Sequence, residues 1–516
     1  MQDNVAVKEK QTDDKNKKDY IKKETERKLK GFKEYTALRF SIGASAAILL
    51  ILLVTGIDFK EGNHSILALG FAAVYLVSII AQVVVSNKVK KDILENNDIK
   101  DGTRKIGYAL IPFIITANIF SVIAGLTLVK KDRGIEYTLS IYMILIALSC
   151  IMISAINLFK PYVANTFYIG MGALALITVF YIYAMVMISK HIKDKKVDSC
   201  LKPIAIVLVA TVVTGNLFAF AVGAVILRKL KHKDAEISIE WIDVLRRLFR
   251  NDMTVLGLFV IVLLMSISIC SYLTFDYSVA IENSYSTILL SPSIEYPLGT
   301  DDFGRCVFTR IVFGARISLT VGLISTMIPI VIGGGLGAIS GYYGRTIDNT
   351  IMRLLDVLYA VPGILLAIAI VAAFGASTVN LILALSVGSI PGYARNVRAT
   401  VMRISNNEFV EAARACGAKD STIILKHIMP NSLAPIIVQA TLGIGGAVLS
   451  TSSLSYLGLG VEPHIPEWGN ILKIGSKYLE TNPHLAIYPG IAIIVLVLAF
   501  NFFGDGVRDA LDPKLK

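Results

Sequence analysis

Twelve apolar stretches, each long enough or nearly long enough to cross a lipid bilayer, constrain this 516-residue chain more than any other feature. They run roughly 38–57, 65–86, 106–129, 137–159, 164–189 and 203–227, then 253–275, 318–340, 357–375, 379–394, 436–458 and 486–503. A hydrocarbon core of ~30 Å, at ~1.5 Å of rise per residue, takes about 20 apolar residues per crossing. The shortest stretch, 379–394, reads either as a span or as a buried or tilted helix. Hydrophobic residues make up 54% of the chain and charged residues 17%, and mean hydropathy is +0.64, too little charge to cover a water-facing surface. The expected fold is an all-α integral membrane protein of about twelve transmembrane helices. The first apolar run begins after about 37 polar residues and has no small-residue cleavage signature, so a retained anchor is expected rather than a signal peptide.

The net charge of +12 is expected to sit on segments held at the cytoplasmic side of a membrane, with no nucleic acid as partner. Residues 1–37 form a charged cytoplasmic leader, with eleven Lys/Arg against seven Asp/Glu in 1–33, suited to an anionic lipid surface. Residues 38–227 read as an N-terminal bundle of about six spans, to which no motif assigns a function. Residues 228–252 read as an amphipathic elbow, with Trp241, Val244, Leu245, Leu248 and Phe249 at helical spacing beside Arg246, Arg247 and Arg250. Residues 253–516 form the second membrane domain, and the two halves share no motif that would mark an internal repeat.

Counting alternate sides from a cytoplasmic elbow places 276–316 and 459–485 outside, and 341–356, 395–435 and the tail 505–516 inside. Arg395, Arg398, Arg403, Arg414, Lys419 and Lys426 agree with the inner placement of 395–435. In the first half the same count puts 190–202 outside despite Lys190, Lys193, Lys195, Lys196 and Lys202, and puts the nearly uncharged connection around Lys160 inside. A miscounted or re-entrant segment between 137 and 189 is one way to reconcile the two.

The polar stretch 408–431, EFVEAARACGAKDSTIILKHIMPN, stands apart in this apolar chain. Ala412, Ala413 and Ala415 favour helix, while Glu408 and Glu411 suit the positive end of its dipole. Gly417 permits a turn or a close approach of another backbone, and Pro430, thirteen residues on, restricts the chain before it re-enters the membrane. Asp420 or Ser421 is expected to cap a second short helix through Ile423–Leu425. This combination resembles the EAA loop of the membrane subunits of ATP-driven, binding-protein-dependent importers. His427 and the Pro430-Asn431 pair match the peptide and nickel branch, with Met429 where that branch usually has Leu.

Further segments are similar to the dipeptide and oligopeptide permeases of the C type. They are LGTDDFGRCVFTRIVFGARISL (298–319), GYYGRTIDNTIMRLLDVLYAVP (341–362) with Asp348, Arg353 and Asp356, SYLGLGVEPHIPEWGNIL (455–472), and the C-terminal 488–516. Cys306 stands where the branch commonly has Asp. The resemblance covers about 250–516 and leaves the additional N-terminal membrane region unexplained.

What the resemblance implies is a type I importer transmembrane domain with a coupling helix, and a peptide permease subunit. Nickel or another small solute is the alternative cargo. Glu411, Ala412, Ala413, Arg414, Gly417 and Pro430 would meet a separate ATPase. The partners implied are a second permease, one or two ATP-binding subunits that hold ATP and Mg²⁺, and an external substrate-binding protein. The site would be a bacterial cytoplasmic membrane, crossed many times, with both termini cytoplasmic. Gln439, Thr441, Ser450 and Ser452 are candidates for the pathway wall; close helix packing is the competing explanation for such small and polar residues.

No phosphate-loop sequence, G-x-S-x-G or H-E-x-x-H occurs, so the chain is expected to be a transport subunit that binds no cofactor and catalyses no reaction itself. The five cysteines show no CxxC or His-Cys spacing of a metal site, and lone His427 reads as structural. The second-half apolar runs hold almost no ionisable residue, which favours a pathway opened by outside work over a stand-alone secondary carrier. A membrane sensor built on a permease-like half is the remaining alternative class.

Overall fold

Apolar runs without a strand period fold here as helices, because in lipid a helix satisfies its own backbone polar groups. The computed structural model describes residues 24–29, 31–56, 66–116, 118–130, 134–160, 163–193, 196–231 and 239–512. The first 23 residues of the charged leader, and 232–238 between the bundle and the elbow, lie outside the described residues. The first half comprises α1 (Lys33–Gly56), α2 (Ile66–Asn96), α3 (Asp101–Ile106), α4 (Ile119–Val129), α5 (Ile135–Ala155), α6 (Phe167–His191), β1 (Ile192–Lys193), β2 (Lys196–Val197), α7 (Leu201–Ala210) and α8 (Leu217–Lys231). The second half continues with α9 (Ile239–Leu248), α10 (Asp252–Thr274), α11 (Val307–Tyr343), α12 (Arg345–Tyr359), α13 (Gly363–Phe374), α14 (Thr378–Ser405), α15 (Glu408–Ala415), α16 (Met429–Leu457), α17 (Trp468–Ser476) and α18 (His484–Leu511).

Among the described residues seven helices are long and apolar enough to cross a membrane, or eight if the bent pair α12–α13 counts as one span. Twelve apolar stretches therefore do not become twelve straight crossings. The stretch 106–129 folds back on itself as a 3₁₀ segment, Gly107–Thr116, followed by α4. The stretch 203–227 does the same as α7, a 3₁₀ turn at Thr211–Thr214, and α8. The 379–394 stretch is the first part of the 28-residue α14, which continues into polar sequence.

Two compact units divide the chain, Met1–Ile141 and Tyr142–Lys516, with the boundary inside α5. In the second unit α10, α11, α16 and α18 pack around Ile261, Leu319, Val448, Trp468, Leu496 and Phe500. Trp468 lies over Gly314, where an added Cβ would come within 2.6 Å of the indole ring. The helix ends sort to two faces. Gly506 abuts Thr254, Gly504 abuts Thr441, and Gly341 abuts Arg398. The Asp252 end of α10, the Tyr343 end of α11, the Met429 end of α16 and the Leu511 end of α18 thus share one face.

These contacts also settle how the chain runs through α5 to α8. Ser154 donates to Thr274, Asn157 donates to the Thr274 carbonyl, and Lys160 donates to Thr309. Gly170 abuts Leu273 and Thr274. The connection around Lys160 therefore lies at the Thr274 face, opposite the expected one. The 25-residue α6, about 37 Å long at 1.5 Å per residue, carries the chain to the Asp252 face. The α7–α8 hairpin then turns back at Gly215, which abuts Ser266 and Ile269 of α10. Its two ends, and with them the described residues His191 and Cys200, lie on the Asp252 face. The re-entrant segment exists, but at 201–231 rather than between 137 and 189.

The first half also contains a repeat that its apolar composition conceals. Thr116, Asn118, Phe120 and Gly125 recur as Thr214, Asn216, Phe218 and Gly223, each pair 98 positions apart. Glu34-Tyr35-Thr36 at the start of α1 recurs as Glu136-Tyr137-Thr138 at the start of α5. In both copies two long helices precede a short hairpin with Asn at its apex. A Cβ on Gly125 would lie 2.6 Å from the Gly107 carbonyl, and one on Gly223 would lie 2.6 Å from that of Ala205, so each glycine lets its hairpin close. Asn118 donates to Ser45 and Ser78, both at 3.0 Å, while Asn216 donates to the Met143 carbonyl at 2.9 Å. Each apex thereby satisfies a polar group at membrane depth.

Candidate functional site

Short helix α15 is anchored on one side only. Val410 is fully buried among Ala338, Val397, Val401, Ile404, Ile423, Ile428 and Ile436. Glu408, Phe409, Glu411, Ala412, Arg414, Ala415, Cys416 and Gly417 are exposed, and Ala413 is half-buried. The helix thus presents an acidic first turn followed by small residues. Its end is sharp: Gly417 has φ +78°, and the amides of Gly417 and Ala418 bond back to Arg414 and Ala413 at 3.0 and 3.1 Å. An L-residue in that region costs roughly 1–2 kcal/mol, which glycine avoids. Nothing lies within 4 Å of a Cβ built there, so the surface around Gly417 is open to another backbone.

The segment beyond differs from the sequence expectation. Asp420 and Ser421 do not cap the next turn; its cap is Lys419, with no side-chain hydrogen bond. Asp420 instead accepts a hydrogen bond from Tyr342 at 2.6 Å, and Arg414 donates to the same hydroxyl at 3.4 Å. Tyr342 ties both ends of the exposed segment to the end of α11, a role that sequence reasoning missed. The available signal was an aromatic pair, Tyr342-Tyr343, closing a long apolar helix just before Gly344. Residues Ile423–Ile428 form a π-helix, in which the Met429 amide bonds to Ile424. Pro430 has no N–H for the Lys426 carbonyl and crowds it, which accounts for this widening. His427 contributes its carbonyl to the Asn431 side chain at 2.6 Å.

Behind this surface, α11 and α14 are held unusually close. Gly333, Gly337 and Gly341 recur every four residues, and a Cβ on each would fall 2.6, 2.3 and 2.7 Å from the carbonyls of Ile390, Ala394 and Arg398. Only glycine at these positions permits that approach. Arg398 grips Asp348 of α12 through two nitrogens, and Ser340 donates to the same carboxylate. Arg395 pairs with Asp356 at 2.5 Å and lies over the Tyr359 ring, 4.1 Å from its centroid. The three helices α11, α12 and α14 thus form one braced block leading directly into α15.

The pathway candidates separate by face. Thr441 is buried, with its hydroxyl bonded to carbonyls of its own helix. Ser452 is buried and donates to Glu467 at 3.2 Å. Gln439 and Ser450 are half-buried, and the Gln439 carbonyl accepts from Tyr393 at 3.4 Å. The open face of α16 carries Leu442, Gly446, Leu449 and Tyr456 at helical spacing, with Ser450 and Ser453 at its edge.

At the opposite face Glu467 is completely buried. Its carboxylate accepts from Ser318, Ser452 and the amides of Gly469 and Asn470. Burial pushes its pKa up, while these donors pull the other way. Burial lowers the Lys160 ammonium, and burial together with neighbouring Asp301 raises Asp302. Cys306 is buried at the start of α11; nearby, Asp301 is paired with Arg305 at 2.8 Å and lies 3.6 Å from Arg310.

Comparison with known proteins matches residues 333–516 to a family described as the binding-protein-dependent transport system inner membrane component. Residues 240–292 match the N-terminal TM domain of oligopeptide transport permease C. The dipeptide transport system permease protein DppC of Alkalihalophilus pseudofirmus is 46% identical over 276 residues, which are 54% of this chain and 90% of that protein. The glutathione transport system permease protein GsiD of Pectobacterium atrosepticum is 42% identical over 55% of this chain and 94% of its own length. Among solved structures, an inward-facing MetNI methionine ABC transporter aligns at 22% identity and a TM-score of 0.34, over 39% of this chain and 97% of that one.

Proposed function

The chain belongs to the family of binding-protein-dependent transport system inner membrane components, in its peptide ABC permease branch, and from that premise we propose that it conducts small peptides. It is a multi-pass membrane permease subunit of an ATP-driven importer, the class to which ATP-binding subunits and a substrate-binding protein belong. The observation that carries the coupling role is the one-sided anchoring of α15: Val410 is buried, while Glu411, Ala412, Arg414 and Gly417 face solvent. In this reading those residues and Ala413 seat in a groove of a separate ATPase, and Pro430 sets the angle at which α16 leaves the surface. ATP and Mg²⁺ sit on that partner, present in one or two kinds, and a second permease completes the pathway against the open face of α16.

The face carrying α15 is cytoplasmic, as are both termini. Lys190 and Lys202, the α8 end with Arg228, Lys229 and Lys231, and Arg395 to Lys426 all gather there, as the positive-inside tendency asks. Peptide cargo is supported by the dipeptide and glutathione names of the relatives.

Gly417→Arg tests the reading, because it fills the open approach and strains the φ +78° turn without touching the core. Expected is normal membrane insertion with loss of ATPase co-purification and of peptide uptake. Normal uptake by this variant would refute the coupling role.

A further inference from the structure

The turn between α6 and α7 brings three metal-ligating side chains together. In the β1–β2 ribbon Ile192 faces Val197 and Lys193 faces Lys196, so His191 and Asp198 stand opposite each other at its open end. Cys200, just before α7, completes the group: donor atoms of His191, Asp198 and Cys200 all lie within 4.8 Å of one another. His191 is half-buried, and Asp198 and Cys200 are exposed. The His191 Nδ1 lies 3.1 Å from the Met187 carbonyl. A carbonyl can only accept, so Nδ1 carries the proton and Nε2 keeps its lone pair, the arrangement that orients a metal-binding imidazole.

The corresponding turn of the first repeat closes by a different chemistry. There Arg104 bonds Glu34 at 3.2 Å and Asp98 at 3.4 Å, and the Asp92 carboxylate accepts the Lys100 amide at 3.1 Å. In the second repeat Lys202 stands where Arg104 stands in the first. An imidazole, a thiol and a carboxylate occupy the turn.

We propose that His191, Asp198 and Cys200 bind a divalent ion of the zinc class, stapling the end of α6 to the start of the second hairpin as Arg104 does in the first. Nitrogen and sulfur donors beside one carboxylate select this class over magnesium or calcium, which take oxygen. Bonds of ~2.0–2.3 Å in a tetrahedral shell put neighbouring donors about 3.5 Å apart, within reach by side-chain rotation, with the fourth position left to water. Binding takes the thiolate, so the Cys200 proton passes to solvent. The ten-residue span His191–Cys200 matches no short metal motif; the ribbon register supplies the proximity.

The test uses the full chain in detergent, purified without a polyhistidine tag and titrated with Co²⁺. Expected is saturable binding with thiolate-to-cobalt charge-transfer absorption, displaced by Zn²⁺. Cys200→Ser removes the absorption, and His191→Ala or Asp198→Asn weakens binding about tenfold or more. Cys416→Ser, which removes the other exposed thiol, leaves it unchanged. Monodisperse elution and an unaltered metal-free melting temperature show that the variants are folded. Absence of the thiolate band in the folded parent, or its persistence in Cys200→Ser, overturns the site.

Discussion

Single residues at both faces carry interactions that their neighbours cannot replace. Glu467 has no exposed surface and gathers four donors, two of them backbone amides that lose their partners if it is shortened. An orphaned buried donor costs roughly 1–3 kcal/mol. Glu467→Ala is therefore expected to lower the melting temperature of the purified protein and to open the 459–485 connection to protease. Glu467→Gln should fall between the two, since its amide turns one acceptor into a donor facing donors. A melting temperature equal to the parent's in both would remove the residue from this role. Asp348 and Arg398 make a second, separable case, because the pair is two-pronged and partly buried. A double-mutant cycle with Asp348→Asn and Arg398→Gln, read as unfolding free energy, should give a coupling of about 1–3 kcal/mol. A value near zero would mean that α12 is held by packing alone.

Elements fail differently from residues, through backbone approach rather than lost partners. The Gly333, Gly337 and Gly341 ladder lets α14, which leads into the exposed α15, rest against α11, which meets α15 through Tyr342. Gly337→Leu forces the carbonyl of Ala394 away and should destabilise by at least the 1–3 kcal/mol typical of overpacking. The measured effect should be reduced yield and a lower melting temperature, whereas Gly335→Leu, with nothing within 4 Å of its Cβ, should be tolerated. Equal damage from both would show that the ladder does not set the helix spacing. The helical character of each element was legible from its apolar run. Which of those runs fold back was not, since a hairpin of two short helices and one long span carry the same composition. The repeated Thr-x-Asn and later Gly were present in the sequence, but their meaning appears only when each Gly is found against a carbonyl of the facing helical arm of its hairpin.

The whole molecule decides the side on which each connection lies. Because α7 and α8 form a re-entrant hairpin, native Cys200 should share a face with native Cys416. An impermeant thiol reagent should label both from one side of oriented vesicles, and Asn165→Cys from the other. Labelling of Cys200 together with Asn165→Cys would restore the simple alternating count and refute the hairpin.

The sequence by itself determined that the chain lives in lipid, that it is helical, and that 408–431 forms a polar helix-turn in a permease of the binding-protein-dependent class. The first two and the helix-turn follow from local facts (hydrophobic length, alanine-rich propensity, and Gly and Pro at fixed distances), while the permease class rests on a resemblance to known family motifs. Only the tertiary structure decided that Asp420 bonds Tyr342 rather than a helix end, that Thr441 and Ser452 face inward, and that Lys160 and Lys190 lie on opposite faces. These depend on which helices pack together, and packing is set by contacts between residues tens to hundreds of positions apart. Composition within a window carries no record of such contacts.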